Sequence, residues 1–169
     1  RRIYPVRLND TSFLACASVG PDARAVGGLS SALKRRIGRF AYVVAMAKVF
    51  ADWQRPQLRV VVDGEALQCE AVYIAKGHYY AGPWSFAPEA RLDDPDMHIV
   101  ALRRARRRDF VAFMLAMLVG RISSLKNVQI AVGREVTIEA CKVQAIQADG
   151  DIAGTTPAHL TVADEPLRA

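Results

Sequence analysis

The chain has 169 residues, 51% apolar and 24% charged, which is ordinary for one globular domain with its own core. No apolar run approaches the roughly 18 residues that a membrane-spanning helix needs. The net charge of +6 comes from 23 basic and 17 acidic residues, with basic clusters at 34–36 and Arg39 and at 103–108. Such clusters are typical of proteins that contact phosphates. The chain starts without Met or an apolar signal segment, so we interpret it as a fragment of a longer protein.

The three cysteines are Cys16, Cys69 and Cys141, an odd number, and they lie far apart in apolar sequence. No CxxC pair is present, so the pattern disfavours a zinc site. Buried, reduced thiols are the better interpretation. They favour a cytoplasmic protein.

Hydrophobic periodicity predicts nine strands and two helices along the chain. The predicted strands are Ile3–Leu8, Phe13–Ser18, Leu58–Val62, Ala66–Ala75, His98–Arg103, Val128–Val132, Glu135–Ala140, Val143–Gln147 and Ala158–Ala163. The predicted helices run from Leu29 to about Asp52 and from Asp109 to near Gly120, and the tail 164–169 is expected to be loose. Since strands and helices do not alternate, we predict a mainly β (α+β) fold: an antiparallel β-sandwich with two appended helices in a single domain, 1–169.

The segment 82–96 lies between two strand-like runs and combines aromatic residues with three prolines and three aspartates. It is longer than a simple reversal of direction requires. Loops of this composition commonly hold a cation or contribute to a site. The spacing of Arg91, Asp94 and Asp96 is therefore a first clue to function, and a solvated acidic loop is the alternative.

Four segments resemble motifs of a known family, in the same order and at similar spacing. They are Ala17-Ser18-Val19-Gly20-Pro21-Asp22-Ala23, Gly38-Arg39-Phe40-Ala41-Tyr42, Phe86-Ala87-Pro88-Glu89-Ala90 with Leu92-Asp93-Asp94, and Gln147-Ala148-Asp149-Gly150-Asp151. Together they are similar to the C-terminal domain of the diacylglycerol kinase-like lipid kinases. This is the bacterial branch that also resembles sphingosine and ceramide kinases. The similarity covers nearly the whole chain.

The resemblance implies an enzyme of two domains that phosphorylates a lipid hydroxyl with ATP. An N-terminal α/β domain would bind ATP through a Gly-Gly-Asp-Gly-Thr loop, and a C-terminal β-sandwich would complete the cleft. This sequence contains no Gly-Gly-Asp-Gly-Thr. We therefore expect the ATP-binding domain to lie outside this chain, and the chain alone to be inactive.

The resemblance also assigns site residues. A structural Mg²⁺ site would use the main-chain carbonyl of Arg91, the carboxylate of Asp94 and the carbonyl of Asp96. Asp149 matches the aspartate of an Asp-Gly-Glu loop that supplies the general base. Asp151 stands where the family has glutamate, one methylene longer.

Two other positions depart from the family pattern. Lys76 replaces an asparagine, and Pro95 replaces a glycine between two loop aspartates. Proline cannot adopt a left-handed conformation, so a loop that needs one would be distorted. These departures keep open a second reading, a non-catalytic all-β module that binds lipid or protein.

Two further alternatives follow from the residues. Asp149-Gly150 has the composition of a tight turn. Asp63-Gly64-Glu65 has the same three residue types as the family's Asp-Gly-Glu loop, but it lies at a predicted hairpin tip. The arginines of 103–108 precede the apolar segment Phe110–Val119, which suits peripheral contact with an anionic membrane; a solvated strand end is the other reading. Aromatic residues do not interleave with these arginines, so the sequence disfavours binding of nucleic acid. A lipid substrate is expected, and a homodimer is left open.

Overall fold

The computed structural model describes residues 2–29, 40–80 and 83–168. Fourteen strands lie among them: β1 (Arg2–Ile3), β2 (Val6–Leu8), β3 (Thr11–Phe13), β4 (Cys16–Val19), β5 (Leu58–Val62), β6 (Glu65–Cys69), β7 (Ala71–Ala75), β8 (Met97–Leu102), β9 (Val128–Gly133), β10 (Glu135–Ala140), β11 (Ala145–Ala148), β12 (Asp151–Thr155), β13 (Ala158–Val162) and β14 (Leu167–Arg168). The helices in these ranges are α1 (Pro21–Gly27), α2 (Phe40–Ala51), α3 (Arg107–Leu118) and a 3₁₀ turn, Ile122–Ser124.

Two six-stranded antiparallel sheets pack against each other as a sandwich, which confirms the predicted fold class. The first sheet has the strand order β3-β2-β13-β10-β5-β6, and the second has the order β12-β11-β4-β7-β8-β9. A short ladder pairs β1 with β14. Within residues 2–29, 40–80 and 83–168, three α-helices accompany the sheets, whereas the sequence predicted two.

The burial of the strands explains their sequence patterns. In the first sheet, β5 alternates between buried and more accessible residues because one face of this sheet meets solvent. In the second sheet, β7 and β8 are buried at every position. Both of their faces are covered, and their sequences are accordingly almost continuously apolar.

Two cores cover the faces of the second sheet. Between the sheets, aliphatic side chains such as Val60, Ile138 and Ile74 are fully buried. On the outer face, helix α3 and the loop after β7 place aromatic rings against the sheet. There Tyr73 stacks on Phe113 with ring centroids 4.8 Å apart.

The prediction of one strand over Phe13–Ser18 is wrong. The chain bends at Leu14 and Ala15, so β3 belongs to the first sheet and β4 to the second. The predicted strand Ala66–Ala75 is divided in the same way at Glu70, since β6 and β7 lie in different sheets. An apolar run shows that a segment is buried, but it does not show where the segment changes layer.

Other predicted boundaries also need correction. Helix α1 was not predicted; Pro21 starts it, at a position where the missing N–H of proline costs no hydrogen bond. Helix α2 is described from Phe40; the rest of the predicted helix, 30–39, lies outside the described residues with the basic residues of 34–36 and Arg39. Strand β12 was not predicted, and the tail predicted to be loose pairs through β14.

Candidate active site

Asp149 lies in a tight turn between β11 and β12. Its φ is 48°, and Gly150 follows with φ 90°, a pair of positive values that Asp and Gly tolerate best. The Asp149 carboxylate accepts three backbone hydrogen bonds, from Leu14 N–H (2.8 Å), Ala15 N–H (2.9 Å) and Cys16 N–H (3.0 Å). Asp149 N–H in turn donates to the Cys16 carbonyl (2.9 Å).

These bonds fall at the point where the chain passes from β3 to β4, and therefore from one sheet to the other. Charged acceptors make stronger hydrogen bonds to backbone N–H than neutral ones do. Asp149 therefore fixes the crossing between the sheets, and both its oxygens are engaged in doing so.

Asp151 is the first residue of β12 and is exposed. It pairs with Ala148 across the hairpin, so it stands directly beside the Asp149 turn. The structure thus brings the two predicted carboxylates to one turn of the second sheet. Both residues are exposed, and the Asp149 carboxylate is bonded to the backbone of 14–16.

A buried carboxylate that the sequence analysis did not select lies nearby. Asp22, on α1, is 4% exposed. It accepts hydrogen bonds from the Ser18 hydroxyl (2.8 Å) and from the Tyr42 hydroxyl. Its position just after Pro21 in a helical first turn was the available signal.

Tyrosines surround this carboxylate on the outer face of the second sheet. Burial, followed by the charge of Asp22, raises the pKa of Tyr42 and of Tyr73, so both phenols stay protonated. The Tyr73 hydroxyl is buried and has no hydrogen-bond partner among the described residues. Asp22 therefore lies in a region of hydroxyl donors and aromatic rings.

Cys16 connects the two carboxylate regions. Burial, together with the charges of Asp149 and Asp22, raises the pKa of its thiol to about 12. The thiol lies on the face of the second sheet where α1 packs on β4 and β11. Asp22 and Asp149 therefore both lie close enough to Cys16 for their charges to act on its thiol.

The predicted metal loop is ordered by its own hydrogen bonds. The Asp94 carboxylate accepts Asp96 N–H (3.0 Å), and Asp94 N–H donates to the Arg91 carbonyl (3.2 Å). The Arg91 guanidinium forms two bonds to Asp93, of 2.9 and 3.1 Å.

The side chain of Lys76 enters this loop. Its Nζ donates to the carbonyls of Arg91 (2.9 Å), Leu92 (3.2 Å) and Asp94. Lys76 is fully buried. Burial lowers its pKa, and the carboxylates of Asp94, Asp93 and Asp96 partly offset that effect.

The donor set of this loop does not fit a divalent cation. The Arg91 carbonyl, a predicted ligand, already accepts hydrogen bonds from an ammonium and an amide, and the Asp94 carboxylate bonds to backbone. Within residues 2–29, 40–80 and 83–168, no group of three or more His, Cys, Asp or Glu side chains is arranged to hold a metal. The sequence analysis noted Lys76 as a departure but did not connect it to this loop.

The described arginines of 103–108 divide into two kinds. Arg107 donates to the carbonyls of Phe50 (2.7 Å) and Ala51 (3.1 Å) at the C-terminal end of α2, and Arg106 pairs with Asp109 (3.5 Å). These two stabilise helix ends. Arg103, Arg104 and Arg108 are exposed.

The sequence model of a known family, the YegS C-terminal NAD kinase beta sandwich-like domain, matches residues 15–169. A diacylglycerol kinase of Staphylococcus carnosus is 24% identical over 157 residues, which cover 90% of this chain and 51% of that protein. One from Staphylococcus haemolyticus is 23% identical over 157 residues, 90% of this chain and 47% of that protein. The chain therefore spans about half the length of these relatives.

Solved structures share the fold. A crystal structure of a diacylglycerol kinase from Bacillus anthracis str. Sterne superposes with a TM-score of 0.71 at 17% identity. The match covers 96% of this chain and 53% of that one. At such low identity the likeness concerns the architecture alone.

Proposed function

Since this chain belongs to the family of the YegS C-terminal NAD kinase beta sandwich-like domain, we propose that it is the lipid-accepting domain of an ATP-dependent lipid kinase. The reaction transfers the γ-phosphoryl group of ATP to a hydroxyl of a diacylglycerol-like lipid. The family match over residues 15–169 carries this proposal, and the relatives named diacylglycerol kinase support it.

We assign different tasks to the two carboxylates of the β11–β12 turn. Both carboxylates are exposed. Because the Asp149 oxygens already accept three backbone N–H groups, Asp151 is the one to accept the proton of the lipid hydroxyl as that hydroxyl attacks phosphorus. Asp149 positions the turn, because its oxygens hold the backbone of Leu14–Cys16. This proposal moves the general base from Asp149, which the resemblance predicts, to Asp151.

ATP and its Mg²⁺ ion are bound by another part of the full-length protein in this proposal. The relatives are about twice as long as the chain, and the sequence lacks a Gly-Gly-Asp-Gly-Thr phosphate loop. The Mg²⁺ that accompanies ATP neutralises phosphate charge during transfer. This Mg²⁺ ion is distinct from the one that the resemblance predicts for the loop Arg91–Asp96.

Helix α3 gives the kinase a surface suited to a membrane. Val111, Leu115, Leu118 and Val119 are spaced at helical intervals along one stripe and are exposed, Leu115 by 58% and Val119 by 68%. Arg108, one turn before Val111, is exposed as well. Exposed apolar side chains flanked by cations fit the interface of an anionic membrane.

We place the protein in the cytoplasm, at the inner face of the membrane. The three cysteines are free, as in proteins of a reducing compartment. No helix in the described part of the chain is long and apolar enough to span a membrane. The proposed contact is therefore peripheral and runs through the α3 stripe.

A non-catalytic lipid- or protein-binding module is the second candidate. The engagement of both Asp149 oxygens with backbone favours it, since that carboxylate has a structural task whether or not chemistry occurs. The shorter Asp151 favours it too. In this case the fold would bind a lipid and leave it unmodified.

A kinase assay on the full-length protein separates the two candidates. Diacylglycerol, a sphingoid base and a polyprenol are offered in mixed micelles with Mg²⁺ and radiolabelled ATP. We expect phosphorylation of one lipid, with kcat about 10²–10⁴-fold lower in Asp151→Asn. Lipid binding without phosphorylation by the wild type favours the module, and full activity in Asp151→Asn contradicts the assignment of the base.

A further inference from the structure

We propose that the ammonium group of Lys76 is a built-in substitute for a divalent cation in the loop Arg91–Asp96, so that this chain orders the loop without metal. The proposal concerns the stability of the domain and holds whether or not the full-length protein is a kinase.

The hydrogen bonds of Lys76 match the chemistry of an ammonium group. An ammonium has three N–H donors and no acceptor. Lys76 Nζ meets three carbonyl oxygens, those of Arg91, Leu92 and Asp94, and every donor is satisfied. Carbonyl oxygens converging on a cation are also what a hard metal ion requires.

The surroundings of Lys76 partly offset the cost of burying a charge. A buried cation is costly unless it is paired and hydrogen-bonded. The carboxylates of Asp93, Asp94 and Asp96 all act favourably on the Lys76 charge. The ring of Tyr4 lies 5.9 Å from Nζ, within the range of a cation–π contact, and Tyr4 N–H donates to the Leu92 carbonyl (3.0 Å).

The backbone of Lys76 fixes the side chain in place. Lys76 follows directly after the buried strand β7, and the N–H groups of Lys76 and Gly77 donate to the Ala15 carbonyl (2.8 and 2.9 Å). The N–H of the same Ala15 donates to Asp149. The loop cation and the Asp149 turn are therefore joined through one residue of the crossing between the sheets.

A metal ion and the ammonium cannot share these oxygens. Mg²⁺ binds oxygen at about 2.0–2.1 Å and Ca²⁺ at about 2.3–2.6 Å. The Arg91 carbonyl already has Nζ 2.9 Å away, so an ion coordinated there would be in contact with a second cation. Lys76 would have to leave its buried position, which would remove all three of its hydrogen bonds.

The decisive experiment measures metal binding and thermal unfolding of the purified chain. Wild type, Lys76→Met, Lys76→Asn and the control Lys48→Met, whose lysine is exposed on α2, are freed of metal with a chelator. Each is then unfolded thermally with and without Mg²⁺ or Ca²⁺. Equilibrium dialysis with metal analysis gives the stoichiometry.

We expect the wild-type midpoint to move by less than about 1 °C with either metal, whereas a site saturated about 100-fold above its Kd would raise it by several degrees. Lys76→Met should lower the midpoint of thermal unfolding by about 5 °C or more, because three loop carbonyls lose their hydrogen bond from the ammonium, and Lys48→Met should not. Lys76→Asn, which restores the residue of the resembled family, should be stabilised by Mg²⁺.

Three results would overturn the proposal. One equivalent of metal bound by the wild type would show that the loop takes a cation despite Lys76. An unchanged midpoint in Lys76→Met would show that the ammonium does not stabilise the loop. A Lys76→Asn chain as insensitive to metal as the wild type would show that no metal site underlies the lysine. If Lys76→Met does not fold, the wild-type dialysis still decides.

Discussion

Asp149 and Asp63 adopt the same turn conformation in different sheets. Their φ values are 48° and 46°, and the glycines that follow have φ 90° and 91°. Each carboxylate accepts hydrogen bonds from backbone N–H groups of another segment. Asp149 accepts them from Leu14–Cys16. Asp63 accepts them from Arg134 (3.1 Å) and Glu135 (2.8 Å). An Asp-Gly turn that holds a neighbouring backbone is therefore a structural device of this fold, and turn geometry by itself does not identify a base.

This pair provides a matched test of Asp149. We expect Asp149→Asn and Asp63→Asn each to lower the free energy of unfolding by about 1–3 kcal/mol, since an amide leaves one backbone N–H facing an NH₂ group. Urea unfolding measures both. In the full-length protein, Asp149→Asn should also lower lipid phosphorylation, because the turn carries Asp151, whereas Asp63→Asn should not. Equal activity losses in the two variants would remove any special role for Asp149.

Glu70 is expected to make the domain sensitive to acid. Burial opposes ionisation of Glu70, but hydrogen bonds from Arg55 (2.7 Å, twice) and Ala105 N–H (2.7 Å) outweigh it and lower its pKa below 4.5. A carboxylate with a lowered pKa contributes stability that is complete above 4.5 and is lost as the pH falls through its folded value. Glu70→Gln should thus be less stable than wild type at pH 7, with a difference that shrinks below pH 4.5.

The control for this prediction is Glu139→Gln. Glu139 pairs with Arg59 at 3.1 Å, but both side chains are about half exposed, so the pair should add little stability at any pH. Denaturant unfolding at neutral and acid pH compares the variants. A Glu70→Gln difference that does not change with pH would contradict a charge-dependent role.

The cysteines should differ sharply in reactivity. Burial raises the pKa of Cys16 and of Cys69 to about 12, so both are protonated thiols at pH 8, whereas Cys141 is exposed. Since the thiolate is the reactive form, a disulfide reagent should label one thiol quickly in the native chain and three after unfolding. Mass spectrometry of the labelled peptides identifies the site. Rapid native labelling of Cys16 would contradict the closed packing around it.

The sequence predicts those parts of the molecule that depend on local pattern. Alternation located most strands, and Asp-Gly located the β5–β6 hairpin, because strand burial and positive φ leave a signature in neighbouring residues. The division of 13–18 between two sheets could not be predicted, since it depends on Asp149, which lies about 135 residues away along the chain. The environment of Asp22 likewise depends on Tyr42, from another helix.

Lys76 illustrates how a local anomaly carries long-range information. A lysine directly after the buried strand β7 conflicts with that strand's apolar pattern, so the sequence alone signals a special position. Its partners, the carbonyls of Arg91, Leu92 and Asp94, are backbone atoms and leave no trace in residue type. The resemblance predicted a Mg²⁺ ion in this loop, whereas only the structure shows that the Lys76 ammonium bonds to the loop carbonyls.

The α3 stripe should bind anionic membranes. Liposome co-sedimentation of the purified chain compares phosphatidylcholine vesicles with vesicles that also contain phosphatidylglycerol. We expect binding to the anionic vesicles that weakens as salt rises, because surface charges are screened over a Debye length of about 10 Å at 0.1 M. The double variant Leu115→Ser, Leu118→Ser should bind at least about tenfold more weakly, since it removes several apolar carbon groups and each buried CH₂ contributes about 0.8 kcal/mol.

Val143→Ser is the matched control for this surface. Val143 is 72% exposed but lies in the segment before β11, outside the stripe. Its substitution removes a similar apolar side chain, so membrane binding should stay at the wild-type level. Loss of binding in Val143→Ser equal to that in the α3 variant would indicate general surface hydrophobicity in place of a membrane-facing helix. Arg108→Ser, which removes a cation next to the stripe, should weaken binding to anionic vesicles alone.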